Sequence, residues 1–182
     1  MEIIETPIAG LLIIKPRVFE DSRGFFYESY NRGKYKDAGI DLDFCQDNQS
    51  KSSYGVIRGL HYQLSPYAQS KLVSVAVGTV WDVAVDLRKN SRTFGQWYGV
   101  ELSAENKLQF LIPKGFAHGF SVITETALFT YKCDAFYNQA SERGILYNDP
   151  ALSIDWKIPA DKAIVSPKDQ VHPLFKDAEM NF

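Results

Sequence analysis

Cysteine is nearly absent from this chain of 182 residues, which holds only Cys45 and Cys133. Two thiols cannot build a disulfide framework, so the expectation is unlinked thiols in a reducing compartment. An excess of either charge is lacking too. Twenty Lys and Arg stand against 22 Asp and Glu, for a formal net charge of −2. That argues against a nucleic-acid binder, whose domain would be strongly basic. Long apolar runs are missing as well. The longest early one, Ile8 to Ile14, falls far short of the ~20 residues that span a bilayer. It also lacks the basic start and small-residue cleavage site of a signal peptide. No repeat, low-complexity tract or Pro/Gly/Ser linker divides the chain. Its length suits one domain over residues 1–182. The expectation is a single cytoplasmic domain without membrane contact.

Aromatic residues, by contrast, are plentiful at 14%, which favours strands or a stacking pocket. Strand signals dominate. Leu11–Pro16, Gly24–Tyr30, Phe94–Leu102, Leu108–Pro113, Gly119–Thr124 and Ala127–Cys133 all read as short strands. The clearest pattern lies in Leu72–Leu87, where Val73, Val75, Val77, Trp81, Val83, Val85 and Leu87 take the odd positions. Ser74, Ala76, Asp82, Ala84 and Asp86 fall on the other face. A turn is expected at Gly78. Read as a hairpin, this segment keeps its faces consistent only if Val77 pairs with Trp81 and Val75 with Val83. Only Asn31–Gly39 and a piece near Asp177 look helical. The stretch from Asp149 to Phe182, with Pro150, Pro159, Pro167 and Pro173, is expected to be irregular and to wrap the rest. About ten short strands with few helices imply an all-β sandwich, jelly roll or small barrel.

Histidine is scarce, with three in the chain. His61 lies in Arg58-Gly59-Leu60-His61-Tyr62-Gln63 on an expected strand. His118 lies in the Pro/Gly-punctuated stretch Pro113 to Phe120, read as a loop entering a strand, and His172 sits in the Pro-rich tail. Any of them could be a packed residue with satisfied ring nitrogens. Metal binding is disfavoured, because neither His61 nor His118 has a second His or Cys within five positions. Acid/base catalysis needs a carboxylate to orient the imidazole, and Asp82, Asp86 and Asp169 are candidates that spacing does not separate. Lys71 could stabilise developing negative charge, or be a solvated lysine at the start of a strand. Tyr131 and Tyr137 could donate protons, or simply pack. Arg23, Arg58, Lys71 and Lys168 are scattered, yet a barrel could bring them together around a pyrophosphate.

Several stretches taken in order are more specific than any one of them. They are Asp21 to Tyr30, Gln46-Asp47-Asn48-Gln49-Ser50, Arg58 to Gln63, Lys71 to Arg88, Thr93 to Trp97, and Gly115 to Phe120. Through them the chain closely resembles the dTDP-4-dehydrorhamnose 3,5-epimerases, from about Ile3 to Pro173. The resemblance implies a cupin-type jelly-roll barrel with short peripheral helices, a homodimer, and catalysis without metal or organic cofactor. The implied substrate is dTDP-4-dehydro-6-deoxy-D-glucose, whose C4 ketone acidifies the hydrogens on C3 and C5.

By this resemblance His61 is the base, Asp169 its carboxylate partner, Lys71 the stabiliser of the enolate oxygen, and Tyr131 the acid on the opposite face. Arg23, Glu28, Gln46, Asn48 and Arg58 match positions that hold the nucleotide or sugar. His118, Glu142 and Lys168 match further substrate contacts. The N-terminal segment of the family packs across the dimer, which would put Arg23 and Glu28 at the neighbouring subunit's site. Tyr62 and Ser70 depart from the family pattern without touching a catalytic role. Three other readings compete: a one-centre epimerase of the same family, a barrel ketoisomerase on a similar nucleotide sugar, and a non-catalytic sugar-nucleotide binding module. Retention of His61, Lys71 and Tyr131 favours epimerisation but does not count the centres inverted.

Overall fold

The computed structural model describes every residue from Met1 to Phe182. Alternating side chains punctuated by turn residues give strands almost throughout. One antiparallel sheet runs in the order β1 (Glu2–Glu5), β2 (Leu12–Lys15), β10 (Gln109–Ile112), β7 (Lys71–Val77), β12 (Thr126–Cys133) and β5 (Gln46–Ser53). The second runs β13 (Glu142–Gly144), β6 (Val56–Gln63), β11 (Phe116–Val122), β8 (Thr79–Asp86) and β9 (Trp97–Ser103), with β14 (Ile164–Val165) added in parallel to β6. A separate hairpin joins β3 (Phe19–Asp21) to β4 (Gly24–Phe26), followed by the one α-helix, α1 (Arg32–Asp37). Asn31 caps that helix by accepting from the Lys34 N–H. The architecture is the all-β jelly-roll barrel that the resemblance implied. No helix is long and apolar enough to cross a membrane.

The two sheets face one another over a core that includes Val73, Val75, Phe110 and Phe129 from the first and Val80, Ala84, Phe116 and Phe120 from the second. Phe110 and Phe129 are fully buried, and truncating such an aromatic to alanine typically costs about 3–5 kcal/mol. The outer faces are covered as well. Leu72 and Leu111 meet Tyr35 and Ile40 from the α1 region. Val83, Val85 and Leu87 meet Leu152, Trp156 and Met180, so the irregular C-terminal stretch does wrap the barrel.

The hairpin expected within Leu72–Leu87 is not formed. The chain does turn at Gly78, but β7 pairs with β10 and β12 while β8 pairs with β11 and β9, in the opposite sheet. The physical reason is that both faces of β8 are dry. Its odd residues pack outward on the C-terminal stretch and its even ones inward, so face consistency across the turn placed no constraint on pairing. Other boundaries moved less. The strand from Gly24 stops at Phe26, the strand holding His118 begins at Phe116, and the piece near Asp177 is a single 3-10 turn. β5 was not foreseen, because Gln46–Ser53 carries no apolar residue to mark a strand.

Candidate active site

The site is made where strands of the two sheets approach with polar residues turned inward. On β12 the odd residues point into the barrel, so Tyr131 follows Phe129 inward. Lys71 shares the inward parity of Val73 and Val75 on β7. Across the interior, β6 changes phase. His61 pairs with His118, but Arg58 pairs with Phe120. Gly59 and Leu60 therefore oppose the single residue Gly119, as in a β-bulge. That extra residue puts Arg58 and His61 on the same side although they are three apart. Only glycine fits at the bulge: Gly59 has φ +115°, and a Cβ there would lie 2.6 Å from the His118 carbonyl oxygen.

The result is a cavity of about 570 Å³ bordered by Arg58, His61, Lys71, His118, Tyr131, Lys168 and Asp169, with Ser50 and Phe129. His61 Nε2 lies 2.6 Å from Asp169 Oδ1. Burial would raise the Asp169 carboxyl, but the bonds from His61 and from the Gly59 N–H outweigh it and hold it below the usual carboxylate range. Asp169 is thus ionised and accepts from Nε2–H, which leaves Nδ1 with a free lone pair. His118 Nε2 lies 3.0 Å from both oxygens of Asp82. Both groups are buried, and desolvation pushes Asp82 up and His118 down. Desolvation also draws the Lys71 ammonium down and the Tyr131 phenol up. The Lys71 Nζ stands 5.8 Å from the centre of the Tyr131 ring.

The three candidate carboxylates are now separated. Asp169 orients His61, Asp82 orients His118, and Asp86 instead binds Arg88, Ser91 and Thr93. Glu142 accepts from Lys168 at 2.6 Å and from the Tyr137 hydroxyl at 3.0 Å. This places Tyr137 at the exposed rim rather than among the inner groups. Gln46 and Asn48 face inward on β5, where Asn48 pairs with Tyr131 and the Gln46 amide donates to Asn48. Two candidates lie elsewhere in this chain. Arg23 sits at the tip of the β3–β4 hairpin against Asp21, and Glu28 pairs with Lys34 and Asn31. Sequence reasoning missed Ser52, which accepts from the Arg58 Nε, and gave no role to His172, whose Nε2 lies 3.4 Å from Asp169 Oδ1. Ser52 lies in a strand without apolar residues, and the contacts of His172 with His61 and Gly144 cross from the tail to β6 and β13.

Comparison with known proteins bears on what such a cavity does. A family model described as dTDP-4-dehydrorhamnose 3,5-epimerase matches residues 5–177. The dTDP-4-dehydrorhamnose 3,5-epimerase of Shigella flexneri is 53% identical over 180 residues, 98% of each chain. The crystal structure of the enzyme of that name from Elizabethkingia anophelis NUHP1 superposes with a TM-score of 0.93 at 61% identity, over 97% of each chain. A dTDP-6-deoxy-D-glucose-3,5-epimerase from Legionella pneumophila Philadelphia 1, solved in complex with dTDP-4-keto-L-rhamnose, gives a TM-score of 0.93 at 53% identity. It covers 97% of this chain and 93% of its own. This chain belongs to the dTDP-4-dehydrorhamnose 3,5-epimerase family.

Proposed function

We propose that this chain inverts C3 and C5 of dTDP-4-dehydro-6-deoxy-D-glucose, giving dTDP-4-dehydro-L-rhamnose, through the residues gathered in the cavity. It is an isomerase acting on a sugar nucleotide. The observation that carries the mechanism is the placement of base and acid on facing walls. His61 comes from β6 in one sheet and Tyr131 from β12 in the other, and both border one cavity. A carbon held between them can lose a proton to one side and regain one from the other, which is inversion.

The C4 ketone makes the hydrogens on C3 and C5 acidic. His61 Nδ1 takes one, and the imidazolium so formed is held by the ionised Asp169. The electron pair moves onto the C4 oxygen, where Lys71 stabilises the enolate, a role worth roughly 3–4 kcal/mol for comparable donors. Tyr131, kept protonated by burial, returns a proton to the opposite face. Once His61 has released its proton to solvent and Tyr131 has regained one from it, the same cycle at the second carbon completes the reaction. Ketone, base, acid and cation suffice, so the route needs neither metal nor organic cofactor.

His118, Glu142 and Lys168 hold the sugar, while Gln46, Asn48 and Arg58 hold the nucleotide side. Arg23 and Glu28 serve the site of a second copy in a homodimer. The N-terminal hairpin supports this, since Phe19, Phe25 and Phe26 are more than half exposed around Arg23, as residues awaiting a partner would be. The two free thiols fit a reducing, cytoplasmic setting.

The test is proton NMR of the substrate with the protein in D₂O. Deuterium at both C3 and C5 is expected. Deuterium at one carbon would make this a one-centre epimerase. Binding without exchange would make it a non-catalytic module.

A further inference from the structure

His172 has no part in the mechanism above, yet it is packed against it. Its ring meets the His61 ring edge-on, with centroids 5.7 Å apart at 79°. Its Nε2 lies 3.4 Å from the same Asp169 oxygen that binds His61. That nitrogen is buried and makes no hydrogen bond. The side chains of His172 and Asp169 are only 13% and 4% exposed. The approach depends on Gly144, which pairs with His61 across β13 and β6. A Cβ on Gly144 would overlap the His172 ring. The donor atoms of His61, Asp169 and His172 all fall within 4.8 Å of one another.

We propose that Nε2 of His61, Oδ1 of Asp169 and Nε2 of His172 form an inhibitory site for a divalent transition metal, Zn²⁺ foremost, beside the catalytic cavity. Two imidazoles and one carboxylate are the donor types Zn²⁺ takes, at about 2.0–2.2 Å, with water in the fourth position. Ligands at those lengths stand about 3.3 Å apart in a tetrahedron. The His172 to Asp169 separation of 3.4 Å already matches, the His61 to Asp169 contact of 2.6 Å has to open by less than one ångström, and the two imidazoles, within 4.8 Å of each other, have to draw together by at most about 1.5 Å. Mg²⁺, which prefers oxygen ligands in an octahedron, does not fit.

The inhibition follows from the imidazole itself, and rests on the reading of His61 as the base. In the free protein the proton sits on Nε2 and the lone pair on Nδ1. Coordination takes the Nε2 lone pair, so the proton moves to Nδ1 and remains on the ring. No proton is lost and nothing is oxidised, but Nδ1 can no longer accept one from the sugar. The metal also holds the Asp169 oxygen that would have stabilised the imidazolium. A bound ion therefore switches off the base without entering the substrate cavity.

The test titrates ZnCl₂, and MgCl₂ for comparison, against epimerisation by the full chain, and adds Co²⁺ to substrate-free protein to record the visible absorption of a four-coordinate site. Zn²⁺ should inhibit and a chelator should restore activity, while Mg²⁺ has no effect. His172→Gln and His172→Asn should turn over normally, require at least about tenfold more Zn²⁺ for inhibition, and lose the Co²⁺ band. Equal Zn²⁺ sensitivity in wild type and both variants would overturn the proposal. So would inhibition abolished by Cys45→Ser, which removes the exposed thiol, or a Co²⁺ band that survives loss of His172. The absorption needs no substrate, so it separates failure of the metal site from failure of the epimerase reading.

Discussion

At His61 the commitment of Nε2 to Asp169 decides which nitrogen is basic. His61→Asn should therefore show no deuterium uptake at either carbon while still binding dTDP, as measured by calorimetry; retained exchange would remove His61 from the mechanism. Asp169→Asn keeps the shape but disturbs the tautomer, and an analogous change in a Ser-His-Asp triad costs about 10⁴ in turnover. A loss on the order of 10³–10⁴ in kcat with little change in KM is expected here. The Asp169 carboxyl is depressed in the folded chain relative to its ordinary value of 3.8. Its stabilising effect is therefore complete above that value and lost as pH falls through the lower native one. Tyr131→Phe should lower product formation by about 10²–10⁴ yet permit washing of deuterium into the substrate, because proton removal by His61 survives. Unchanged product yield would reduce Tyr131 to packing.

Among the elements, β6 depends most on one residue. Gly59→Ala would press a Cβ against the His118 carbonyl and the Gly119 Cα. A cost of about 1–3 kcal/mol is expected from the strained backbone alone, read as a lower urea midpoint. The activity should fall by more than the stability does, since moving a catalytic group by about 1 Å can cost 10²-fold. The end of β8 offers a cleaner stability test. Burial would raise Asp86, but Arg88, Ser91 and Thr93 bring it down from 3.8 to about 2. That difference corresponds to about 2 kcal/mol of stability, present above pH ~4 and lost on acidification towards pH ~2. Asp86→Asn should be less stable by about that amount at neutral pH and converge with wild type in acid, as followed by thermal unfolding. The sequence displayed some of these elements and hid others. The alternation of Val73 and Val75 marked β7, and Asn31 marked the start of α1. β5 stayed hidden because Gln46–Ser53 carries no apolar residue on either face and so leaves no apolar period. The bulge in β6 was equally silent, since period 2 alone would send Arg58 and His61 to opposite faces. Arg58, His61, Lys71 and Tyr131, which border the cavity, were singled out through motif resemblance. His172 was not, because what brings it to the site is His61 and Gly144, both far from it in the chain.

For the whole molecule, the position of Arg23 makes the proposed homodimer testable by activity. Arg23→Ala should be weak alone and His61→Asn inactive. Mixed and refolded together in equal amounts, they should recover about a quarter of wild-type turnover, because half the dimers pair one chain of each kind and hold one intact site. No recovery would mean that Arg23 acts within its own chain, and full activity of Arg23→Ala alone would leave it without a role. The doubly covered strand β8 has a further consequence. Val83, Ala84 and Val85 are fully buried and the strand is paired on both edges, so their amides can meet solvent only when the barrel opens as a whole. Deuterium uptake at those three positions would then act as a gauge of global opening, and His118, tethered to Asp82 on the same strand, would share its slow clock. Asp169 hangs on a loop of short turns and would keep a faster one. A dTDP-sugar settling into the cavity should slow uptake around Ser166 to His172 first and leave β8 unchanged until the ligand begins to hold the entire barrel shut.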